Sequence, residues 1–75
     1  MKFSELKKIC KAMFYLIDAV DAEGNTRQEC ISLFETVDAP MKLAKYDDAD
    51  LISCKPRRVT YGDDVVNAME VCVRV

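Results

Sequence analysis

Phe14-Tyr15-Leu16-Ile17-Asp18-Ala19-Val20-Asp21 is the stretch on which the fold turns. Phe14 to Ile17 form a short apolar run of β-favouring side chains, closed by acids. Glu23-Gly24-Asn25 follows as a turn signal, and Thr26 to Phe34 supplies a second half. The segment then reads as a strand, a turn and a returning strand. The rival is one helix running from 4 to 22, since Met13, Phe14, Ile17 and Val20 extend a helical stripe. A second helix would start at Thr26, where Thr26-Arg27-Gln28-Glu29 matches a capping box ahead of Cys30, Ile31, Leu33, Phe34 and Val37. That long first helix would end in Asp18, Asp21 and Glu23, where the macrodipole disfavours acids. The hairpin is therefore the expectation.

Upstream, Phe3, Leu6, Ile9, Cys10 and Met13 recur at helical spacing and predict a helix near 4–13, with Ser4 as cap and Glu5 in the first turn. Downstream, Asp38-Ala39-Pro40 fits a helix start, and a short helix near 40–46 follows. Leu51-Ile52-Ser53-Cys54 reads as a strand whose pairing Pro56 limits, with Arg58 to Tyr61 resuming it as an edge segment before Gly62-Asp63-Asp64 turns the chain. At the C-terminus Met69, Val71, Val73 and Val75 alternate with Ala68, Glu70, Cys72 and Arg74, the period of a half-buried strand. Such alternation suits antiparallel pairing, with segment 51–61 as partner. The expected fold is α+β: an N-terminal helix packed on a small antiparallel sheet with a second short helix, all in one domain over 1–75.

A chain of 75 residues supports one thin core, because a domain of this size buries only about 60% of its unfolded surface. At 51% hydrophobic and 32% charged, with two glycines and two prolines, it is neither disordered nor low-complexity. No apolar run approaches the roughly 18 residues of a membrane span, and Asp18 with Asp21 to Glu23 spoils a signal-peptide pattern. The expectation is a soluble, unprocessed, cytoplasmic protein with no membrane partner.

The net charge of −2 is unevenly spread. Lys2, Lys7, Lys8 and Lys11 against Glu5 make residues 1–17 basic. Nine acids against Arg27, Lys42 and Lys45 make 18–50 strongly acidic. An acidic middle argues against a general nucleic-acid binder and could engage a basic partner surface, although surface charge for solubility is the favoured account. Lys55-Pro56-Arg57-Arg58 with Tyr61 is the one stretch suited to phosphates and a stacked base. A solvated turn is the simpler account.

Cys10, Cys30, Cys54 and Cys72 stand 20, 24 and 18 residues apart, with no C-x-x-C pair and no histidine to complete a mixed metal site. Each sits among apolar residues, so four reduced, buried thiols are expected. Catalytic chemistry is poorly supplied. There is no histidine for acid–base work or for activating a cysteine. Asp47, Asp48, Asp50, Asp63 and Asp64 look like solvated turn acids, and the first three lack calcium-loop spacing. Gly24 and Gly62 alone cannot write a phosphate loop. No enzyme activity, cofactor or metal is expected. Phe14, Tyr15, Phe34 and Tyr46 could form an interface patch, but most of the set is expected to fill the core.

The chain as a whole resembles a loose group of small proteins from phages and mobile elements of gut and related Gram-positive bacteria. The resemblance lies in the Phe3-Ser4-Glu5-Leu6-Lys7-Lys8-Ile9 helix, the Glu23-Gly24-Asn25 turn, Val37-Asp38-Ala39-Pro40 with Leu43 and Tyr46, the strand Asp50-Leu51-Ile52-Ser53 and the closing Met69-Glu70-Val71-Cys72-Val73. It departs where Phe34-Glu35-Thr36 replaces an aromatic-plus-glycine step. The resemblance implies an accessory protein, some of whose kind inhibit host defence systems, and carries over no functional residue. The resulting expectation is a non-enzymatic protein-binding module with an unidentified protein partner and interaction residues among Asp47, Asp48, Asp50, Lys55, Arg57, Arg58 and Tyr61. The alternatives are a nucleic-acid accessory protein using the basic 55–58 segment, or a self-associating structural protein.

Overall fold

The hairpin prevails over the helix. In a computed structural model, which describes residues 1–33 and 37–75, strand β1 (Phe14–Val20) runs antiparallel to β2 (Thr26–Ser32). Asp21 organises the turn between them. Its carboxylate accepts the N–H groups of Glu23 and Asn25, both at 2.9 Å, while Gly24 takes the positive φ of 87° that other residues avoid. β2 ends at Ser32, and the expected continuation to Phe34 lies outside the described residues.

Helix α1 (Phe3–Ile9) is shorter than the stripe to Met13 suggested, because Cys10 turns into extended backbone (φ −113°, ψ 120°) to lead into β1. Ser4 is not its cap. Lys2 holds that position, and the first-turn donors are met by backbone carbonyls: Phe3 N–H bonds to Ala49 at 3.0 Å and Ser4 N–H to Asp47 at 3.2 Å. Glu5 is placed as expected and accepts the Lys2 N–H at 3.0 Å. Helix α2 (Ala39–Ala44) starts after Asp38, whose side chain makes no capping bond, and Pro40 occupies a first-turn position where no N–H is needed.

Strands β3 (Asp50–Tyr61) and β4 (Asp64–Arg74) form a second hairpin, closed through Gly62 at φ 64°. β3 is continuous through Pro56, where two pieces were expected, because it is an edge strand in the sheet order β2-β1-β4-β3. Both hairpins are antiparallel, and they join through a parallel pairing of β1 with β4, so the sheet is mixed. The last four residue pairs of the second hairpin, from Arg58 with Asn67 to Tyr61 with Asp64, project beyond the end of β1 as an arm.

The core lies on one face of this sheet. Tyr15, Ile17 and Ala19 of β1 stand beside Met69, Val71 and Val73 of β4, with Ile31 of β2. Phe3 and Leu6 of α1 and Ala39 and Leu43 of α2 close over them. Phe3 packs edge-on against both Tyr15 and Tyr46, at centroid distances of 5.9 and 6.4 Å. The cysteines do not follow the expected burial: Cys30 and Cys54 are exposed, Cys10 and Cys72 half-buried, and all four are free. Cys30 and Cys54 lie on the two edge strands, β2 and β3, where apolar sequence neighbours do not bring burial.

Candidate functional site: the uncovered sheet face

Strand alternation sends every second side chain to the face away from the helices. On β1 these are Phe14, Leu16, Asp18 and Val20, and on β4 they are Val66, Ala68, Glu70, Cys72 and Arg74. Phe14, Leu16, Val59 and Val66 are half-buried there, and none belongs to the core cluster. Ala68, between Phe14 and Arg57 in the register, is buried.

One inserted residue sets the charge of this face. Leu51 pairs with Val73 and Ser53 with Cys72, so Ile52 is a bulge. Because the side-chain period is two, a single extra residue exchanges the faces of everything beyond it. Lys55 and Arg57 therefore come to lie on the same face as Glu70. Arg57 Nη1 sits 2.7 Å and Lys55 Nζ 3.6 Å from Glu70 Oε2. The hydrogen bond from Arg57 is the main reason the Glu70 carboxyl is held below its usual range. An ionised carboxylate held by two cations is a poor proton acceptor. Asp18, accepting from Gln28 Nε2 at 3.1 Å, borders the same surface. With Ser53, Cys54, Lys55, Glu70 and Cys72 it lines a shallow pocket of about 190 Å³.

The sequence-derived interaction residues do not form one site. Lys55, Arg57 and Tyr61 share the uncovered face, whereas Arg58 pairs with Asn67 on the opposite one. Asp47, Asp48 and Asp50 lie at the other end of β3, and the five residue steps from Asp50 to Lys55 alone span about 16 Å. Two of these acids are engaged with the N-terminal lysines. Asp47 pairs with Lys7, and Asp50 Oδ1 lies 2.7 Å from Lys2 Nζ. The Lys2 hydrogen bond is the largest cause of the lowered Asp50 pKa. Phe14 and Leu16, which sequence reasoning placed in the core or left unassigned, are the centre of the surface. Their alternation with Tyr15 and Ile17 was the available signal.

Among the described residues no group of three or more His, Cys, Asp or Glu is arranged to hold a metal ion, and no helix is long and apolar enough to cross a membrane. No protein-family model, curated protein or solved structure matches this chain.

Proposed function

We propose that this chain is a non-enzymatic protein-binding accessory module of phage or mobile-element origin that acts by covering the surface of a host defence protein. The origin rests on the whole-chain resemblance, and the cytoplasmic setting goes with it. The binding mode rests on one observation: half-buried Phe14, Leu16, Val59 and Val66 share a face with an ion cluster in which Glu70 pairs with Lys55 and Arg57 within the chain. Half-buried apolar side chains beside polar groups already paired within the chain suit a protein partner, whose interfaces combine apolar area with satisfied polar groups. Phosphate binding favours cations without carboxylate partners, and Glu70 engages two of the three in the basic segment.

The test is affinity capture from the native host with the wild type, Leu16→Lys and Arg58→Ala. Leu16 lies directly opposite Glu70, so the new lysine is accommodated without a like-charge neighbour in that pair. A host protein held by the wild type and Arg58→Ala but lost by Leu16→Lys supports the proposal. Capture unaffected by Leu16→Lys overturns the assigned surface. Binding to DNA or RNA that weakens steeply between two salt concentrations and needs Arg58 would replace it with the nucleic-acid function.

A further inference from the structure

On the other side of the sheet, between the end of α1 and the start of α2, the helical layer leaves an open groove of about 360 Å³. Ala12, Tyr15 and Leu43 form its floor and are 6%, 3% and 4% exposed. Met13, Leu33 and Pro40 form its walls, and Lys7 and Lys11 stand on its rim. Tyr15 spends its hydroxyl on the Cys10 carbonyl at 3.3 Å, so the floor presents ring rather than polar group.

Two features mark this groove as a docking surface. The first is apolar exposure at the elements that flank it: Met13 is 44%, Ile9 at the end of α1 69% and Met41 on α2 75% exposed. Met13 lies in the lining itself, and exposed apolar side chains at a concave apolar surface mark an interaction site more often than scattered ones do. The second is charge. Among the described residues both ionisable groups of the lining other than Tyr15 are lysines, and no carboxylate lines it. Lys7 is paired with Asp47, while Lys11 and neighbouring Lys8 have no ion-pair partner among the described residues.

We infer that this groove binds an acidic amphipathic segment of a partner protein, its apolar side chains on Tyr15 and Leu43 and its carboxylates toward Lys11 on the rim. The groove and the uncovered sheet face are on opposite sides of the molecule, so this second contact is independent of the first. An amphipathic helix seated in an apolar groove is a recurrent way to recognise a peptide. Rim cations would set its sign preference and speed its encounter.

The chain has no tryptophan, so a tryptophan on the apolar face of a probe reports its own burial. The experiment uses two peptides of equal length with the same apolar spacing and one tryptophan, one with glutamates and the other with lysines at the polar positions. Titration of the whole protein should shift the emission of the acidic peptide to the blue, more weakly at higher salt, and leave the basic one unchanged. Lys11→Glu should weaken the acidic peptide about three- to fivefold, the size expected for exposed ion pairs. Met13→Asp, at a position that tolerates a charge because it is already half exposed, should weaken it further. Thr60→Ala, exposed near the tip of the second hairpin, should change nothing. Equal binding of both peptides, no binding of the acidic peptide, or indifference to Met13→Asp in a variant that melts like the wild type would each overturn the inference.

Discussion

The Tyr46 hydroxyl donates a 2.5 Å hydrogen bond to Oε1 of Glu29, fastening the turn after α2 to strand β2. Lys45 Nζ approaches the same oxygen at 2.9 Å. The Tyr46 bond is the largest cause of a Glu29 pKa below its ordinary 4.5. Burial, then Glu29, raises that of Tyr46 above 10.0.

The signs of these shifts set two edges of a pH profile. A depressed carboxylate contributes stability above its unfolded pKa and loses it as pH falls through the lower folded value. A raised phenol contributes below its unfolded pKa and loses it as pH climbs through the higher folded value. Glu29→Gln should therefore flatten the fall in stability below about pH 4.5, where Asp50 and Glu70 still contribute because their pKa values are also lowered. Tyr46→Phe should cost about 1 kcal/mol near neutrality, the low end for a bond to a charged group that is partly solvated. Denaturant melts across pH check both, and an unchanged acid limb in Glu29→Gln would refute the coupling.

Val71 is fully buried, paired with Ile17 on β1 and Cys54 on β3. Val71→Asp would place a carboxylate there without a partner. In a domain with about 5 kcal/mol of stability the loss should unfold most molecules. Glu70→Asp, one residue away on the uncovered face, keeps the charge, shortens the reach to Lys55 and Arg57 and should leave the melt nearly unchanged. Equal melting temperatures for the two variants would contradict the strand.

Pro56 guards the outer edge of β3. The tight turn makes Tyr61 with Asp64 a hydrogen-bonded pair, and alternation from there leaves Pro56 with Met69 as a non-bonded one. The nitrogen of Pro56 therefore points outward, where it deprives an added strand of a donor. Pro56→Thr should leave the melting temperature within a few degrees of the wild type but introduce concentration-dependent association in sedimentation. Monomeric behaviour at all concentrations would show that the neighbouring cations guard the edge alone.

The four thiols should separate kinetically. A thiol reagent should modify Cys30 and Cys54 rapidly in the native protein and Cys10 and Cys72 more slowly. All four should react after denaturation without reductant. Fewer than four would reveal a bridge, and four equal native rates would contradict the burial order.

How much of this was legible follows from how local each signal is. The alternation of Met69, Val71 and Val73 marked both the strand and its buried face, because a period of two is written into consecutive residues. Glu23-Gly24-Asn25 and Gly62 marked the two turns, because positive φ has few suppliers. The acids after Ile17 excluded the long helix for an equally local reason, the field at a helix end. The candidate site was only partly visible. Lys55, Arg57 and Tyr61 stood out as a basic aromatic stretch, but the carboxylate that pairs with both cations, Glu70, is 13 residues beyond Arg57.

The sequence by itself thus determined which segments are strands, where they turn and which alternate residues are apolar enough to be buried. Only the tertiary structure decided that β1 and β4 lie side by side in parallel, since a strand alternates identically whichever direction its neighbour runs. Tertiary structure also ended α1 at Ile9, where the chain must cross to the sheet to place Ala12 and Tyr15 in the core. It inserted Ile52 as a bulge, and that one residue moved Lys55 and Arg57 onto the face of Glu70. Each of these outcomes depends on contacts between residues far apart in the chain, and such contacts leave no pattern in a short window of sequence.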